Sequence, residues 1–447
     1  MKQLIRLLFI IYYLSFSFSP AGAQSWTARQ CMQYAVAHNH EVKRAELELD
    51  NYEASRLGAI GRFLPAVDAN IGAQYNFGRA IDPETNGYTN VSTFYNGYSV
   101  QASLPVFDGF SRLHALRAAK ASVLMGRHAL REQQDQTALT TLQAWVNTAY
   151  YEGMVTMAEE KQREADLLLR QTQVMVEVGR KSAADLAQIE AQQAEAAYEL
   201  TRQQNLLASA LLELKKDMGF PLGDSINVTV SREGTNSFPE GNWQFPTGKL
   251  SETPTESHAL LLGQYYSMRS KLYEWRQARA ECLPALSVSA GLSTTFNKAL
   301  HSQTTASFSD QIKNNMGEYV SATLSIPLFN RLQTATSIRR AKNNYRMARE
   351  AYEEKQLELE KLSREAWQDW QGYLKQTVQM EKKVEADSLA YQLTRRQYEE
   401  GLSTAIDLHT TSTTLLQSKA TLLQCRLMAI VKEQLVRYYN GERIWTE

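Results

Sequence analysis

The feature that most constrains this chain is an internal duplication. Leu104-Pro105-Val106-Phe107-Asp108 returns as Ile326-Pro327-Leu328-Phe329-Asn330. A constant displacement of 222 residues then carries Ala119-Lys120 onto Ala341-Lys342, Trp145 onto Trp367, Gly179 onto Gly401, Ser182 onto Thr404 and Asp185-Leu186 onto Asp407-Leu408. Upstream, Leu64-Pro65-Ala66 matches Leu283-Pro284-Ala285 at a displacement of 219, so one loop differs in length between the copies. The 447 residues hold two copies of a unit of about 220 residues, far longer than the ~20–50-residue periods of solenoids.

Each copy opens with a helical segment, His40 to Phe63 and roughly Ser257 to Glu281, and then alternates strictly. Val67, Ala69, Ile71, Ala73, Tyr75 and Phe77 are apolar against Asp68, Asn70, Gly72, Gln74 and Asn76; Tyr98, Val100, Ala102 and Leu104 stand against Gly97, Ser99, Gln101 and Ser103. The second copy repeats the design with Leu286, Val288, Ala290, Leu292 and Phe296, then with Val320, Ala322, Leu324 and Ile326 against Tyr319, Ser321, Thr323 and Ser325. Period-two alternation over 8 to 12 residues fits either a soluble sheet with one buried face or transmembrane strands between lipid and a wet lumen.

An export signal favours the second. Lys2 and Arg6 precede an apolar run from Leu7 to Phe18, and Ala21-Gly22-Ala23 provides a small-residue cleavage site that leaves Gln24 first. Phe77, Tyr98, Phe296 and Tyr319 lie toward strand ends, where an interfacial aromatic girdle is expected. Val67, Ala69, Ile71, Tyr98, Val100, Ala102, Leu286, Val288, Ala290, Val320, Ala322 and Leu324 are the predicted lipid-facing set. Beyond the signal no apolar stretch reaches the roughly 18 residues of a transmembrane helix, so membrane entry requires a β-barrel. Four strands cannot close one, since the smallest barrels need about eight; two chains or three would supply the rest.

The helices that follow are too long for a globule. Ser111 to Val178 contains no proline and only Gly126 and Gly153, and Arg331 to Glu400 only Gly372. At ~1.5 Å per residue these make rods of roughly 100 Å. The return helices, Ser182 to Met218 and Thr404 to Tyr438, carry seams spaced by three and four that polar residues dilute, such as Gln193, Gln203, Thr411 and Lys432. Such helices read as walls with one wet side. Each rod meets its return helix through Gly179-Arg180-Lys181-Ser182-Ala183-Ala184-Asp185 or Gly401-Leu402-Ser403-Thr404-Ala405-Ile406-Asp407. Glycine permits the left-handed turn, Ser182 or Thr404 caps the next helix, and Asp185 or Asp407 completes a capping box.

The arrangement of helix, two strands around L-P and P-x-F corners, long helix, G-x-x-[ST]-x-x-D turn and return helix resembles the TolC-like outer membrane efflux protein family over nearly the whole mature chain. Asn76-Phe77-Gly78-Arg79-Ala80-Ile81-Asp82-Pro83 also looks like the first external loop of members from the Bacteroidetes group. The resemblance implies a fold that is mainly α with a β-barrel portion: a homotrimer with a twelve-stranded transmembrane barrel continued by a periplasmic α-helical barrel. It further implies a periplasmic adaptor (membrane fusion) protein and an inner-membrane pump as partners, serving efflux or type I secretion of small molecules or polypeptides. Val178, Gly179, Arg180, Lys181, Ser182, Asp185, Gly401, Leu402, Ser403, Thr404 and Asp407 become the adaptor-contact tips. Some relatives carry an aspartate ring at the periplasmic entrance. Tyr391 to Glu400 holds no aspartate, which leaves Glu399 and Glu400 as the candidate gate. No cysteine stands at the cleavage site, in agreement with unlipidated members.

On this reading residues 1–23 are the signal and 24–219 the first repeat, with strands at about 65–77 and 95–106, a long helix at about 111–178 and a return helix at about 182–218. Residues 220–256 form an equatorial connection. Residues 257–439 are the second repeat, with strands at about 284–296 and 318–329, a long helix at about 331–400 and a return helix at about 404–438; 440–447 is a tail.

Chemistry is sparse. Cys31, Cys282 and Cys425 form neither a disulfide framework nor a zinc motif, and His38 and His40 have no third ligand placed by the sequence. No H-E-x-x-H, phosphate-binding glycine loop or G-x-S-x-G elbow is present, so the expectation is no enzyme, no metal and no cofactor. Trp145 and Trp367 read as packing residues. Removing Lys2 and Arg6 with the signal leaves 46 basic against 48 acidic residues, which argues against a nucleic-acid partner. The alternatives are a periplasmic coiled-coil scaffold without transport activity and an outer-membrane enzyme.

Overall fold

In the computed structural model the described residues are 25–81, 86–90, 92–228, 258–299 and 306–446. The signal segment and residues 229–257, the bulk of the equatorial connection, lie outside them, as do Asp82 and Pro83. In chain order the elements are β1 (Ser25–Trp26), α1 (Ala28–His38), α2 (His40–Gly61), β2 (Ala66–Asn76), β3 (Arg79–Ile81), β4 (Tyr88–Asn90), β5 (Thr93–Asp108), α3 (Ser111–Glu177), α4 (Ala183–Met218) and β6 (Asn227–Val228). They continue with α5 (Ala259–Ala280), β7 (Ala285–Ala299), α6 (Phe308–Asn314), β8 (Gly317–Ser325), α7 (Gln333–Glu399) and α8 (Ala405–Tyr439). The fold is mainly helical, and α3 and α7 run for 67 residues each. Among the described residues no helix is long and apolar enough to cross a membrane.

Two compact units emerge, and they cut across the duplication. One comprises Met1–Leu47, His128–Leu261 and Lys355–Glu447, the other Glu48–Arg127 and Leu262–Glu354, so each draws on both copies.

The second unit holds an antiparallel sheet of order β2-β5-β7-β8. Ala66 lies opposite Ser103 in the first hairpin and Ala285 opposite Ser325 in the second. These are equivalent positions of the repeat, so the two hairpins share one register. Between β5 and β7 the register shifts from Pro105 to Phe107, where proline has no N–H to give the ladder.

β8 stops at Ser325, short of the strand predicted to about 329. Ile326–Asn330 is not strand, although its counterpart Leu104–Asp108 belongs to β5 and pairs with β7. The difference has a physical cause: among the described residues β8 has no neighbour on its outer edge, and a segment without a partner does not form a ladder. Both copies then turn through two consecutive left-handed residues, Gly109-Phe110 (φ 65° and 69°) and Arg331-Leu332 (φ 56° and 63°). At Gly109 a Cβ would lie 2.6 Å from the Leu283 Cβ and 2.7 Å from the Ala280 carbonyl oxygen.

α6 is a short helix between the strands of the second hairpin, where the sequence analysis assigns no element. The last β7–β8 pair, Ser293 opposite Gly317, leaves β7 from Thr294 to Ala299 paired with β5 alone, with no strand on its β8 side among the described residues. Gln311 serves that edge, accepting from the Asn297 N–H and donating to the Asn297 carbonyl, both at 2.9 Å. Asn315 donates to the Thr295 carbonyl at 2.7 Å. Side-chain amides here stand in for ladder partners, which a hydrophobic-pattern reading does not detect.

In the first unit, Ser182 and Thr404 open α4 and α8 with complete capping boxes. The buried residues of α4 recur at Ile189, Ala196, Gln203 and Ala210, a strict interval of seven that marks a seam against neighbouring helices. The polar seam residue Gln193 donates to Asp166 at 2.8 Å, and Lys432 reaches Asp369 at 2.7 Å. β1 pairs in parallel with β6. The Trp145 indole donates to the Trp26 carbonyl at 3.2 Å, so this tryptophan ties the start of the described chain to α3. Its counterpart Trp367 instead packs on Trp370, with ring centroids 5.3 Å apart. The segment expected as a tail docks: Ile444 is buried, Trp445 donates to Asp135 at 3.0 Å and Arg131 donates to the Gly441 carbonyl at 3.0 Å.

Candidate functional site: the sheet face and the paired turns

Directly paired residues in a sheet share a face, and alternate residues along a strand do too. Val67 pairs with Ala102, Ala69 with Val100 and Ile71 with Tyr98. Ala102 pairs in turn with Ala290, while Leu286, Val288 and Ala290 pair with Leu324, Ala322 and Val320. All twelve residues of the predicted lipid-facing set therefore occupy one face, joined by Leu104 and Leu292, which pair with Val288 and Val100. Val67, Ile71, Val320 and Leu324 are strongly exposed on it. The opposite face carries Asp68, Asn70, Ser99, Gln101, Ser103, Ser289, Ser321 and Thr323.

An aromatic row crosses the apolar face toward the β5–β7 end. Tyr75 lies 4.8 Å from Phe94, Phe94 6.3 Å from Phe296, and Phe308 of α6 5.2 Å from Phe296 and 6.3 Å from Tyr98 (ring centroids). Phe94 and Phe308 were not singled out by sequence; Phe94 continues the even-numbered apolar positions of β5 and could have been. Tyr319, expected in this girdle, is on the other face. It stands opposite Gly291, where a Cβ would meet its ring at 2.7 Å, so the tyrosine covers the glycine on the polar side.

The turns of the other unit are twin constructions. Gly179 and Gly401 have φ of 75° and 82°. Arg180 N–H donates to the Met175 carbonyl at 2.8 Å and Leu402 N–H to the Gln397 carbonyl at 2.7 Å, closing a Schellman turn in each copy with the Gly179–Val176 and Gly401–Tyr398 bonds. Asp185 N–H donates to Ser182 Oγ at 3.1 Å, and Asp185 accepts from the Ser182 N–H at 3.1 Å and from its hydroxyl at 2.8 Å. Thr404 and Asp407 repeat this at 3.2, 3.1 and 2.6 Å, with Ser403 Oγ donating to Asp407 at 3.3 Å. The cap hydroxyls and N–H groups hold both aspartate carboxyls below their usual pKa.

Under the turns, Ile189, Tyr398, Ala405 and Leu408 form a buried cluster with Leu168, Leu169 and Tyr391 against it. Lys181 lies over the Tyr398 ring at 3.9 Å, so its ammonium is engaged within the chain while Arg180 is exposed. Val178 and Leu402 are exposed apolar residues at the tips, and so is Ile406, 59% exposed, which is not among the residues predicted for the tips and whose counterpart in the first copy is Ala184. Glu399 accepts from Arg395 Nε at 3.3 Å, and Arg395 also donates to Glu164 at 2.9 Å. Tyr391 donates to the same Glu164 carboxylate. Glu400 is exposed. The carboxylate that gathers partners near the turns is thus Glu164 on α3, which only tertiary contact reveals.

The histidines and cysteines singled out by sequence sit in ordinary packing environments. His38 stacks on Tyr34 at 4.0 Å with Nδ1 2.9 Å from the Tyr34 carbonyl. Cys31 and Cys425 are buried, with burial pushing the Cys31 thiol up to about 12 and raising that of Cys425. No group of three or more potential metal ligands occurs among the described residues.

The sequence profile of the outer membrane efflux protein family matches residues 31–219 and 258–440, one span in each copy of the repeat. The chain belongs to that family. It is accordingly an outer membrane efflux channel protein with a long periplasmic helical extension, not an enzyme and not a periplasmic scaffold. No curated protein sequence matches it. Among solved structures, CusC, described through conformational changes that accompany folding and transmembrane channel formation, aligns over 95% of both chains at 15% identity and a TM-score of 0.78. The outer membrane protein VceC of Vibrio cholerae aligns over 93% of this chain and 96% of its own at 12% identity and 0.77. The CmeC outer membrane channel of Campylobacter jejuni aligns over 94% and 87% at 15% identity and 0.78. At these identities the likeness is one of fold.

Proposed function

We propose that the chain is the exit duct of a tripartite efflux or secretion system. Three copies close a twelve-stranded barrel, and the duct passes small molecules or polypeptides handed on by an inner-membrane pump through a periplasmic adaptor. Residues 1–23 direct export, the two repeats at 24–219 and 257–439 build the wall, and 220–256 is the connection between them in the chain. The observation that carries the reading is the sheet: four strands with one continuous apolar face, one polar face and two open edges. In lipid every backbone group needs a partner, and only closure with further copies supplies one. The energy for transport comes from the pump, in keeping with a sequence that holds no phosphate-binding glycine loop.

The adaptor docks on the two turns, Val178–Asp185 and Gly401–Asp407. They are exposed, rigidly capped, and carry Val178, Leu402 and Ile406 for a partner to cover. Glu399 and Glu400 line the entrance beside them, with Arg395 holding Glu399. The test is disulfide trapping in outer-membrane fractions between a cysteine at Arg180 or Leu402 and cysteines in a co-expressed adaptor. Trapping at both turns is the expected result. An intact, exporting assembly in which neither turn is trapped overturns the docking site.

A further inference from the structure

The duplication allows the seam between subunits to be written residue by residue. This rests on the closed-barrel reading above and goes beyond it by fixing the partner strand and its register. The displacement of 219 for first strands and 222 for second strands maps β2 onto β7 and β5 onto β8, and it places Gly72 on Gly291 and Ser103 on Ser325. The structure shows that this mapping preserves pairing, since Ala66 opposite Ser103 becomes Ala285 opposite Ser325. One junction in the chain joins the second strand of a copy to the first strand of the next: β5 with β7, where Val100 stands opposite Leu292. In a closed ring the open edge of β8 meets the open edge of β2 from a second chain, and this is the same junction in terms of the repeat.

We infer that β8 pairs antiparallel with β2 of a second copy of this chain, with Ala322 opposite Ala73. Val320 then faces Tyr75, and Leu324 faces Ile71, on the apolar side; Ser321 faces Gln74 and Ser325 faces Asn70 on the polar side. A slip of one residue would set apolar residues against polar ones across the whole seam. The same mapping accounts for the difference between the two copies. Leu104–Asp108 is strand because β7 lies beside it, with Pro105 opposite Ser287 and Phe107 opposite Leu286. Ile326–Asn330 has the same sequence pattern and leaves Leu328 92% and Phe329 77% exposed. On assembly this segment continues β8, with a bulge at Leu328 as at Val106, Phe329 opposite Val67 and Asn330 opposite Ala66 of the second copy.

Cysteine pairs in the assembled protein in its membrane test the seam. Within one chain β2 and β8 are separated by β5 and β7, about 14 Å at the ~4.8 Å strand spacing, so a disulfide between them joins two chains. The chain carries Cys282 exposed, and Cys282→Ser removes that background. In this background Gln74→Cys with Ser321→Cys, on the wet face, and Ala73→Cys with Ala322→Cys should each give two-chain and three-chain species on non-reducing gels. The diagonal pairs Ser321→Cys with Gly72→Cys and Ser321→Cys with Asn76→Cys should give at least tenfold less, because diagonal Cβ atoms lie ~7–8 Å apart. Chemical crosslinking of the unsubstituted protein reports the oligomer separately. A trimer in which a diagonal pair forms instead, or no pair forms, overturns the register. A chain that does not form a trimer at all overturns the closed-barrel reading on which the register rests.

Discussion

The Trp445 indole donates to the Asp135 carboxylate at 3.0 Å, across 310 residues of sequence. Asp135 is buried on α3 and has Arg131 3.7 Å away, so the C-terminal segment closes over a desolvated acid. Trp445→Phe keeps the ring and deletes the donor, and should cost about 1 kcal/mol of stability. Asp135→Ala leaves both Trp445 and Arg131 without the carboxylate and should cost about 1–3 kcal/mol. Thermal unfolding of the detergent-solubilised protein measures both; two equal, negligible shifts would mean that the segment is not fastened there.

His258 gives the same region a pH dependence. It is buried, its ring lies 4.8 Å from Tyr438 and 6.3 Å from Tyr439, and burial followed by the charge of Arg131 lowers its pKa to about 4 from an ordinary 6.5, against a backbone hydrogen bond at Tyr438 that raises it. In that interval the unfolded chain binds a proton that the folded chain refuses, so stability falls as pH drops from about 6.5 to about 4 and levels off below. The full effect is about 3 kcal/mol at ~1.4 kcal/mol per pKa unit. His258→Gln should flatten this part of the stability profile, read by unfolding at pH 7 and pH 4.5; an unchanged slope would show that another group carries it.

What the sequence disclosed was whatever is periodic or repeated. The two turns were legible because a capping box is a local motif, and finding it twice at one displacement removed the ambiguity of a single occurrence. The sheet faces were legible because alternation is a property of neighbouring residues. Missing were features made by distant contact: the Trp445–Asp135 bond, the gathering of Tyr391 and Arg395 on Glu164, and the Lys181–Tyr398 contact that withdraws a tip charge. α6 escaped for a different reason, since seven residues without an apolar period carry no helical signal, and its place is set by Gln311 and Asn315 bonding to a free strand edge. Tyr319 keeps the polar face that its alternation with Val320 predicts, and so stands apart from the aromatic row that its nearness to a strand end suggested.

The turns should respond to caps and to backbone differently. Ser182→Ala or Thr404→Ala removes a cap worth about 0.5–2 kcal/mol, visible as faster amide exchange in the first turn of α4 or α8. At Gly179 and Gly401 there is open space for a side chain, so the penalty of a bulky residue there comes from φ of 75° and 82° alone. Such variants should assemble normally and lose adaptor capture. Loss of assembly instead would place the turns in the subunit contact.

The two sheet faces should tolerate charge unequally. Val288→Arg, in mid-strand on the apolar face, should cost roughly 2–4 kcal/mol in a bilayer, while Ser289→Arg on the polar face should be mild. Unfolding of the protein reconstituted in lipid compares them, and equal damage would reverse or abolish the face assignment.

A chain that forms a conduit through the outer membrane must pass ions when its purified, chemically verified oligomer is placed in a planar lipid bilayer. Discrete current steps of uniform size, abolished in the Val288→Arg variant when that variant fails to insert, are the predicted result. An oligomer that inserts into the bilayer and conducts no ions at any applied potential would show that the chain is not a conduit.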